Sequence, residues 1–184
     1  MKRIIASALL LMLLVTATTA RAEVMVPMGL GSLTARAQLV VRGQVLDRTV
    51  ERDPEGRIFT RIDLGVDEVW KGLLATNRFS IVHGGGTLGN ERMVVSGQAE
   101  YEVGEEVVAF LVINARGEGV SVGLSQGKFH LWNDPVSGEK LAQNRFHGLA
   151  SQSEPAAKPP IQPLAIHSRL TVDQLKQSVV GGSH

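Results

Sequence analysis

The stretch Ile58–Lys71 constrains the fold more than any other part of the chain, because apolar residues occupy its alternate positions. One parity carries apolar side chains: Ile58, Ile62, Leu64, Val66 and Trp70. The other parity carries mainly polar ones: Arg61, Asp63, Asp67 and Lys71. This alternation is typical of a β-strand with one buried and one solvated face. A strand of about fourteen residues spans roughly 45 Å, so it must bend, and Gly65 is the expected bend or bulge.

Residues 1–22 have the composition of a secretory signal peptide. Lys2 and Arg3 precede an apolar run of about twelve residues, and the segment ends in Ala20-Arg21-Ala22, an A-x-A cleavage pattern. A membrane-spanning helix needs about twenty apolar residues. We therefore expect cleavage after Ala22, export to the periplasm or the outside of the cell, and no stable membrane anchor.

Composition narrows the class of protein further. The chain has 184 residues and no cysteine, so an exported form has no disulfide and depends on its hydrophobic core. Removing residues 1–22 takes away three of the 19 basic residues and none of the 18 acidic ones, which leaves a net charge of −2. No basic stripe is present, and no nucleic-acid partner is expected.

Further strands are predicted on both sides of the long one. Their ranges are 39–46, 78–83, 107–113, 120–124 and 128–132. Residues 53–56 (DPEG) form a turn that joins the first and long strands as an antiparallel hairpin. The run 107–113 is apolar throughout, which predicts burial on both faces. The last two segments are either a hairpin or one bent strand broken near Gly127.

These patterns predict an all-β fold, a small OB-like barrel of five to six mostly antiparallel strands. A single helical turn capped by Ser32 precedes the first strand. The expected organisation is a signal peptide over 1–22, the barrel over 23–150, a proline-rich connector over 151–167 and a C-terminal helix over 168–184. Four of the seven prolines lie between residues 154 and 163.

The C-terminal helix carries strong local signals. Thr171 and Gln174 form a capping box, and Leu170 and Leu175 occupy the positions of a hydrophobic staple. A helix of about ten residues is marginal alone in water. We expect it to pack on the barrel through Leu175 and its apolar neighbours, and folding only against a partner is the alternative.

Five segments resemble a known group of proteins. They are 39–45 (LVVRGQV), 66–72 (VDEVWKG), 83–86 (HGGG), 104–111 (GEEVVAFL) and 123–129 (GLSQGKF). Their order resembles that of small exported bacterial proteins of unknown function, similar in layout to the OB-like barrel of tissue inhibitors of metalloproteinases and netrin-type modules. The resemblance implies a fold more than an activity. Those inhibitors chelate the protease zinc through an N-terminal cysteine, whereas this chain has none and is expected to begin at Glu23.

Several short motifs invite a functional interpretation, and each has a simpler one. Residues 123–127 match the G-x-S-x-G nucleophile elbow, but a strand pattern follows where the elbow needs a helix. Residues 83–86 lack the helix and Lys-Ser pair of a phosphate loop. No two of the five histidines have the spacing of a metal site, although His83 and His130 could meet at strand ends. The sequence predicts no catalytic residue, metal or cofactor.

OB-like barrels commonly bind ligands on one sheet face and the adjoining loops. On that basis the candidate binding residues are His83, Gly84, Gly85, Gly86, Arg61, Lys128 and His130. The expected function is a non-enzymatic binding module for a protein or glycan, with a protease or another extracellular protein as partner. The alternative is a small hydrolase with an unrecognised site.

Overall fold

A computed structural model describes residues 25–148 and 169–182; the expected signal peptide and connector lie outside these ranges. The helices are α1 (Leu30–Arg36) and α2 (Val172–Val180). The strands are β1 (Leu39–Arg52), β2 (Ile58–Lys71), β3 (Arg78–Gly84), β4 (Gly86–Leu88), β5 (Glu91–Met93), β6 (Glu106–Ile113), β7 (Gly119–Ser121), β8 (Lys128–Asn133) and β9 (Lys140–Gln143). Neither of these helices is long and apolar enough to cross a membrane, within the ranges that the structure describes.

Five strands close into a ring. Their order is β1-β2-β3-β7-β6, and β6 pairs back with β1. The pairs are antiparallel except β3 with β7, which run parallel and meet at Ile81 and Gly119. The predicted all-β, OB-like barrel is confirmed, and β8 and β9 extend the sheet beyond β6.

The segment after β6 is a single interrupted strand. Both β7 and β8 pair with the same edge of β6, and a 3₁₀ turn, Leu124–Gly127, lies between them. A Cβ atom on Gly127 would lie 2.4 Å from the carbonyl oxygen of Val122, so the two pieces approach too closely there for a side chain. Of the two arrangements left open by the sequence, the bent strand is the one found.

The long strands β1 and β2 form the predicted hairpin, with three shifts of register. One shift falls between Arg42 and Gly43, and a Cβ atom on Gly43 would lie 2.0 Å from the carbonyl oxygen of Gly65. Gly65 itself stays paired with Gln44, so the irregularity lies beside the predicted bend. β1 runs six residues further than the predicted range 39–46, because its polar second half pairs with β2 up to Arg52.

Two hydrophobic cores share strand β6. The first fills the barrel and contains Leu39, Val41, Val45, Ile62, Leu64, Ile81, Ala99, Tyr101, Val107, Ala109 and Leu111. The second lies outside the barrel, under α1 and α2, and includes Leu33, Val40, Trp70, Val108, Phe110, Val122, Phe129, Leu131, Val172, Leu175 and Val179. Successive residues of β6 enter the two cores in turn, which confirms the predicted burial on both faces.

Helix α2 docks on the barrel. The capping box is formed: Gln174 N–H donates to the Thr171 hydroxyl over 3.2 Å, and Thr171 N–H donates to the Gln174 side chain over 3.0 Å. Val172, Leu175 and Val179 are buried in the second core. Ala142 N–H donates to the Leu170 carbonyl, so the helix also joins the sheet at β9, a strand that the sequence did not predict.

A chain of ion pairs ties α2 to the barrel. Arg42 bridges Glu68 and Glu106, with a contact of 2.7 Å to each carboxylate. Glu68 also accepts from Lys176 of α2 over 2.6 Å, and Glu106 from Lys140 of β9 over 2.5 Å. The hydrogen bond from Lys176, with a second from Trp70, holds the pKa of Glu68 below its ordinary value.

The predicted start of helix α1 is also wrong. Its N-cap is Gly29 and the helix begins at Leu30, so the N-cap lies three residues before the expected cap, Ser32. Ser32 is exposed inside the helix and caps nothing. The helix forms because Leu33 and Ala37 pack into the second core, a tertiary effect that the local pattern does not reveal.

Trp70 shares the parity of Ile62 and Leu64, yet it packs in the second core and is 7% exposed. Trp70→Ala is expected to lower the free energy of unfolding by about 3–5 kcal/mol because it leaves a cavity. Urea titration measures the loss. Val69→Ala, at the exposed neighbouring position, serves as control and is expected to change it by less than about 0.5 kcal/mol. Equal stability of the two variants would contradict the assignment of Trp70 to the core.

Leu175 is fully buried in α2, whereas Val180 of the same helix is exposed. Leu175→Ala is expected to cost about 2–5 kcal/mol, because its side chain fills the space between α2 and the barrel. Val180→Ala is the matched control and is expected to cost little. Thermal unfolding of both variants checks this, and an unchanged midpoint for Leu175→Ala would mean that the helix is not part of the fold.

Candidate functional site

The barrel closes most weakly between β3 and β7. Strand β3 pairs with β2 along its whole length but with β7 only at Ile81. Residues 94–101 cover the gap: Ala99 and Tyr101 insert into the barrel core, and the Tyr101 hydroxyl lies 2.8 Å from that of Ser121. Burial raises the pKa of Tyr101 far above its ordinary value. The segment is thus anchored from beneath, and its other side faces solvent.

A groove of about 290 Å³ lies between the end of β3 and the segment 92–98. Its lining residues are Arg48, His83, Gly84, Gly85, Gly86, Thr87, Arg92, Met93, Val94, Val95, Ser96, Gly97, Gln98 and Glu100. Four of the seven predicted binding residues, His83 to Gly86, therefore lie together in one site.

The glycine run is required by the shape of this groove. Gly85 and Gly86 have φ values of +89° and +142°, a backbone conformation that residues other than glycine rarely adopt. A Cβ atom on Gly85 would lie 2.8 Å from the Met93 carbonyl oxygen. The Thr60 hydroxyl donates to the Gly85 carbonyl over 2.7 Å, which fixes the backbone at the groove wall.

Three consecutive aliphatic side chains are exposed along the opposite wall. Met93 is 39% exposed, Val94 72% and Val95 40%. Single exposed apolar residues are ordinary, but a contiguous strip at the lip of a groove is typical of an interaction surface.

Two arginines of the groove have no ion-pair partner. Arg48 and Arg92 make no contact with a carboxylate among residues 25–148 and 169–182. By contrast, six other arginines in these ranges are paired: Arg42, Arg52, Arg57, Arg61, Arg116 and Arg169. The groove thus combines an aliphatic lip with cationic groups that are free to bind.

His83 lies at the end of β3 with one ring nitrogen unsatisfied. Its Nδ1 is 3.0 Å from the Gly84 carbonyl oxygen, which can only accept, so Nδ1 carries the proton. Its Nε2 is buried and has no hydrogen-bond partner in the described structure. The ring therefore forms part of the groove wall and makes no acid–base pair.

Lys128 and His130 lie in hollows next to the groove, which share Glu100 with it. Both contact the Glu105 carboxylate, Lys128 at 2.6 Å and His130 at 2.9 Å. The side chains of Lys128 and Glu105 are only 14% and 10% exposed. Lys128 also donates to the Glu100 carbonyl, so this ion pair holds the segment that covers the barrel gap.

Arg61 lies apart from the groove and from the hollows that contain Lys128 and His130. On the outer face of β2, it pairs with Glu51 at 3.0 Å and with Glu118 at 2.7 Å. Its guanidinium and that of Arg116 lie 5.8 Å and 5.6 Å from the Phe59 ring centre. The seven candidate binding residues therefore occupy three different places on the barrel.

The contacts do not support a catalytic or metal-binding interpretation of the sequence motifs. Ser125 lies in the 3₁₀ turn before β8, and its hydroxyl is 4.0 Å from the Met25 sulfur, with no histidine or carboxylate partner in the described ranges. His147 is buried, which lowers its pKa. His83 and His130 line different hollows, and residues 25–148 and 169–182 contain no group of three side chains suited to a metal ion.

Sequence reasoning missed the other half of the groove. Arg48 lies two residues past the predicted strand 39–46, and Arg92 lies in a segment for which no strand is predicted. The one available signal was the apolar run from Met93 to Val95 between charged and glycine residues. Only the fold shows that this run faces the end of β3.

No protein-family model matches the chain, and no curated protein matches it significantly. The fold and the contacts therefore define the class: a small OB-like barrel with a helical cover on one side and a groove with an aliphatic and cationic lining on another.

Proposed function

We propose that this protein is an exported, non-enzymatic binding module that holds a protein partner in the groove between the end of β3 and residues 92–98. The observation that carries the proposal is that an exposed aliphatic lip, Met93 to Val95, lies in the same groove as the guanidinium groups of Arg48 and Arg92, which have no ion-pair partner in the described structure. Aliphatic burial supplies affinity and charges supply orientation in protein interfaces.

A protein fits this groove better than a neutral glycan. The three aliphatic side chains gain only if a partner buries them in apolar surface, at about 25 cal/mol for each Å² removed from water. Neutral sugars carry no charge to form ion pairs with guanidinium groups, and their many hydroxyl groups make them poor at burying aliphatic side chains.

Binding also fits the groove better than catalysis does. A hydrolase needs a nucleophile and a base within hydrogen-bond reach of each other. The lining contains Ser96, Thr87 and His83, yet no hydrogen bond joins either hydroxyl to the imidazole in the described structure. Lys128, beside the groove, is held by Glu105.

Export rests on the composition of residues 1–22, with the basic, apolar and A-x-A parts of a signal peptide. The resemblance to inhibitor modules of the OB-like class favours a protease or another extracellular protein as partner. The groove would then replace the cysteine-dependent contact of those inhibitors, because this chain has no cysteine.

The proposal is tested by capture of partners from culture supernatant on the immobilised protein, beside a Val94→Glu variant. We expect one stoichiometric partner on the wild type and at least about a tenfold loss of affinity for the variant, or about 1.4 kcal/mol. Val136→Glu is the matched control, because Val136 is exposed in the turn between β8 and β9. It is expected to bind as the wild type does.

Two results would contradict the proposal. One is capture that Val94→Glu leaves unchanged, which would place the binding surface elsewhere. The other is turnover in a general hydrolase screen that Val94→Glu abolishes and Val136→Glu does not, which would make the groove an active site.

A further inference from the structure

We infer that the groove recognises an acidic, extended segment of its protein partner, an inference that rests on the proposed function. The segment would lie in the groove beside β5, with carboxylates toward Arg48 and Arg92 and apolar side chains on Met93 to Val95.

Unpaired arginines concentrate around this groove. In the described ranges five arginines lack a carboxylate partner: Arg36, Arg48, Arg78, Arg92 and Arg145. Arg48 and Arg92 line the groove, and Arg145 lines an adjoining hollow that shares Gly97, Gln98 and Glu100 with it. The other six arginines of the described ranges apart from Arg36 and Arg78 pair with glutamate or aspartate, so the charge around the groove is left without a carboxylate of the described chain.

The charge balance of the lining favours an anionic ligand. Glu100 is the single carboxylate among the lining residues, against the two guanidinium groups of Arg48 and Arg92. Guanidinium groups bind carboxylates in bidentate geometry and lose less entropy than lysine in doing so. A local positive site in a chain with a net charge of −2 after removal of residues 1–22 also directs approach of an acidic partner.

The backbone around the groove favours an extended ligand. β5 pairs with β4 alone in the described structure, so its other edge has no strand partner. Open strand edges accept a further strand through main-chain hydrogen bonds. Alternate side chains of a strand point to opposite sides, so acidic residues on one side and apolar residues on the other would match the arginines and the aliphatic lip.

A sulfated or uronic glycan would form ion pairs with the arginines but would not bury the aliphatic lip. Its charged surface would leave Met93, Val94 and Val95 in water, and it has no main-chain N–H to pair with an open strand edge. The aliphatic strip is the observation that selects a protein segment over a polyanionic sugar.

The test uses a fluorescent peptide of alternating Glu and Val, about eight residues long and so about 26 Å when extended. Fluorescence anisotropy with the full chain gives its dissociation constant. We expect measurable binding that weakens when salt is raised from about 0.1 M to about 1 M, because the Debye length falls from about 10 Å to about 3 Å. Peptides of alternating Lys and Val, or Glu and Gly, are expected to bind at least about tenfold more weakly.

Two matched double variants distinguish the contribution of the groove arginines to peptide binding from the effect of overall charge. The double variant Arg48→Gln with Arg92→Gln is expected to bind the Glu-Val peptide at least about tenfold more weakly, which corresponds to about 1.4 kcal/mol. Arg36→Gln with Arg78→Gln removes the same charge from two exposed arginines outside the groove and is expected to leave binding unchanged.

Three outcomes would overturn the inference: no binding of the Glu-Val peptide, equal binding by the two double variants, or tight binding of a heparin oligosaccharide with none of the peptide. Each is distinguishable from failure of the proposed function. If the supernatant partner still depends on Val94 while the peptide fails, the binding module stands and only the acidic segment is wrong. If capture is independent of Val94, the proposed function itself fails.

Discussion

The structure depends on the burial of β6 on both of its faces. Val107, Ala109 and Leu111 fill the barrel, while Val108 and Phe110 need a second apolar layer outside it. Without cysteine the chain has no covalent restraint to replace this layer. Helices α1 and α2 supply it, and the ion pairs through Arg42 hold α2 in register with the barrel. The C-terminal helix is therefore part of the core, although it follows a proline-rich stretch that suggests a free tail.

The groove is a consequence of how β6 is shared. Because β7 and β8 divide one edge of β6 between them, β7 is only three residues long and reaches β3 at a single pair. Residues 94–101 must then cover the rest of the gap, with Ala99 and Tyr101 turned inward. Their neighbours Met93 to Val95 are left outside, next to the glycine end of β3. A packing problem of the barrel thus creates its most distinctive surface.

Local patterns in the sequence predicted local structure well. The alternation in β2, the apolar run of β6 and the capping box at Thr171 each depend on neighbours a few residues apart. Which charged residues remain available to a ligand depends on contacts far apart in sequence, such as Arg61 with Glu118 at a separation of 57 residues and Lys128 with Glu105 at 23. No spacing rule shows which arginines pair with carboxylates, so the sequence pointed to His83–Gly86 but not to Arg48 and Arg92, which line the same groove. It also named Arg61 as a candidate binding residue, because the sequence does not distinguish a free arginine from one that is paired with Glu51 and Glu118.

The central claim is that the binding surface is the groove at the barrel gap and not the outer face of β2 or the helical cover. Amide chemical-shift mapping by NMR, with isotope-labelled protein titrated with the Glu-Val peptide, tests this directly. The account predicts that the largest shifts fall on Gly84 to Gly86 and residues 92–98, while amides of α2 stay unchanged. Largest shifts around Arg61 and Glu118, or along α2, would contradict it.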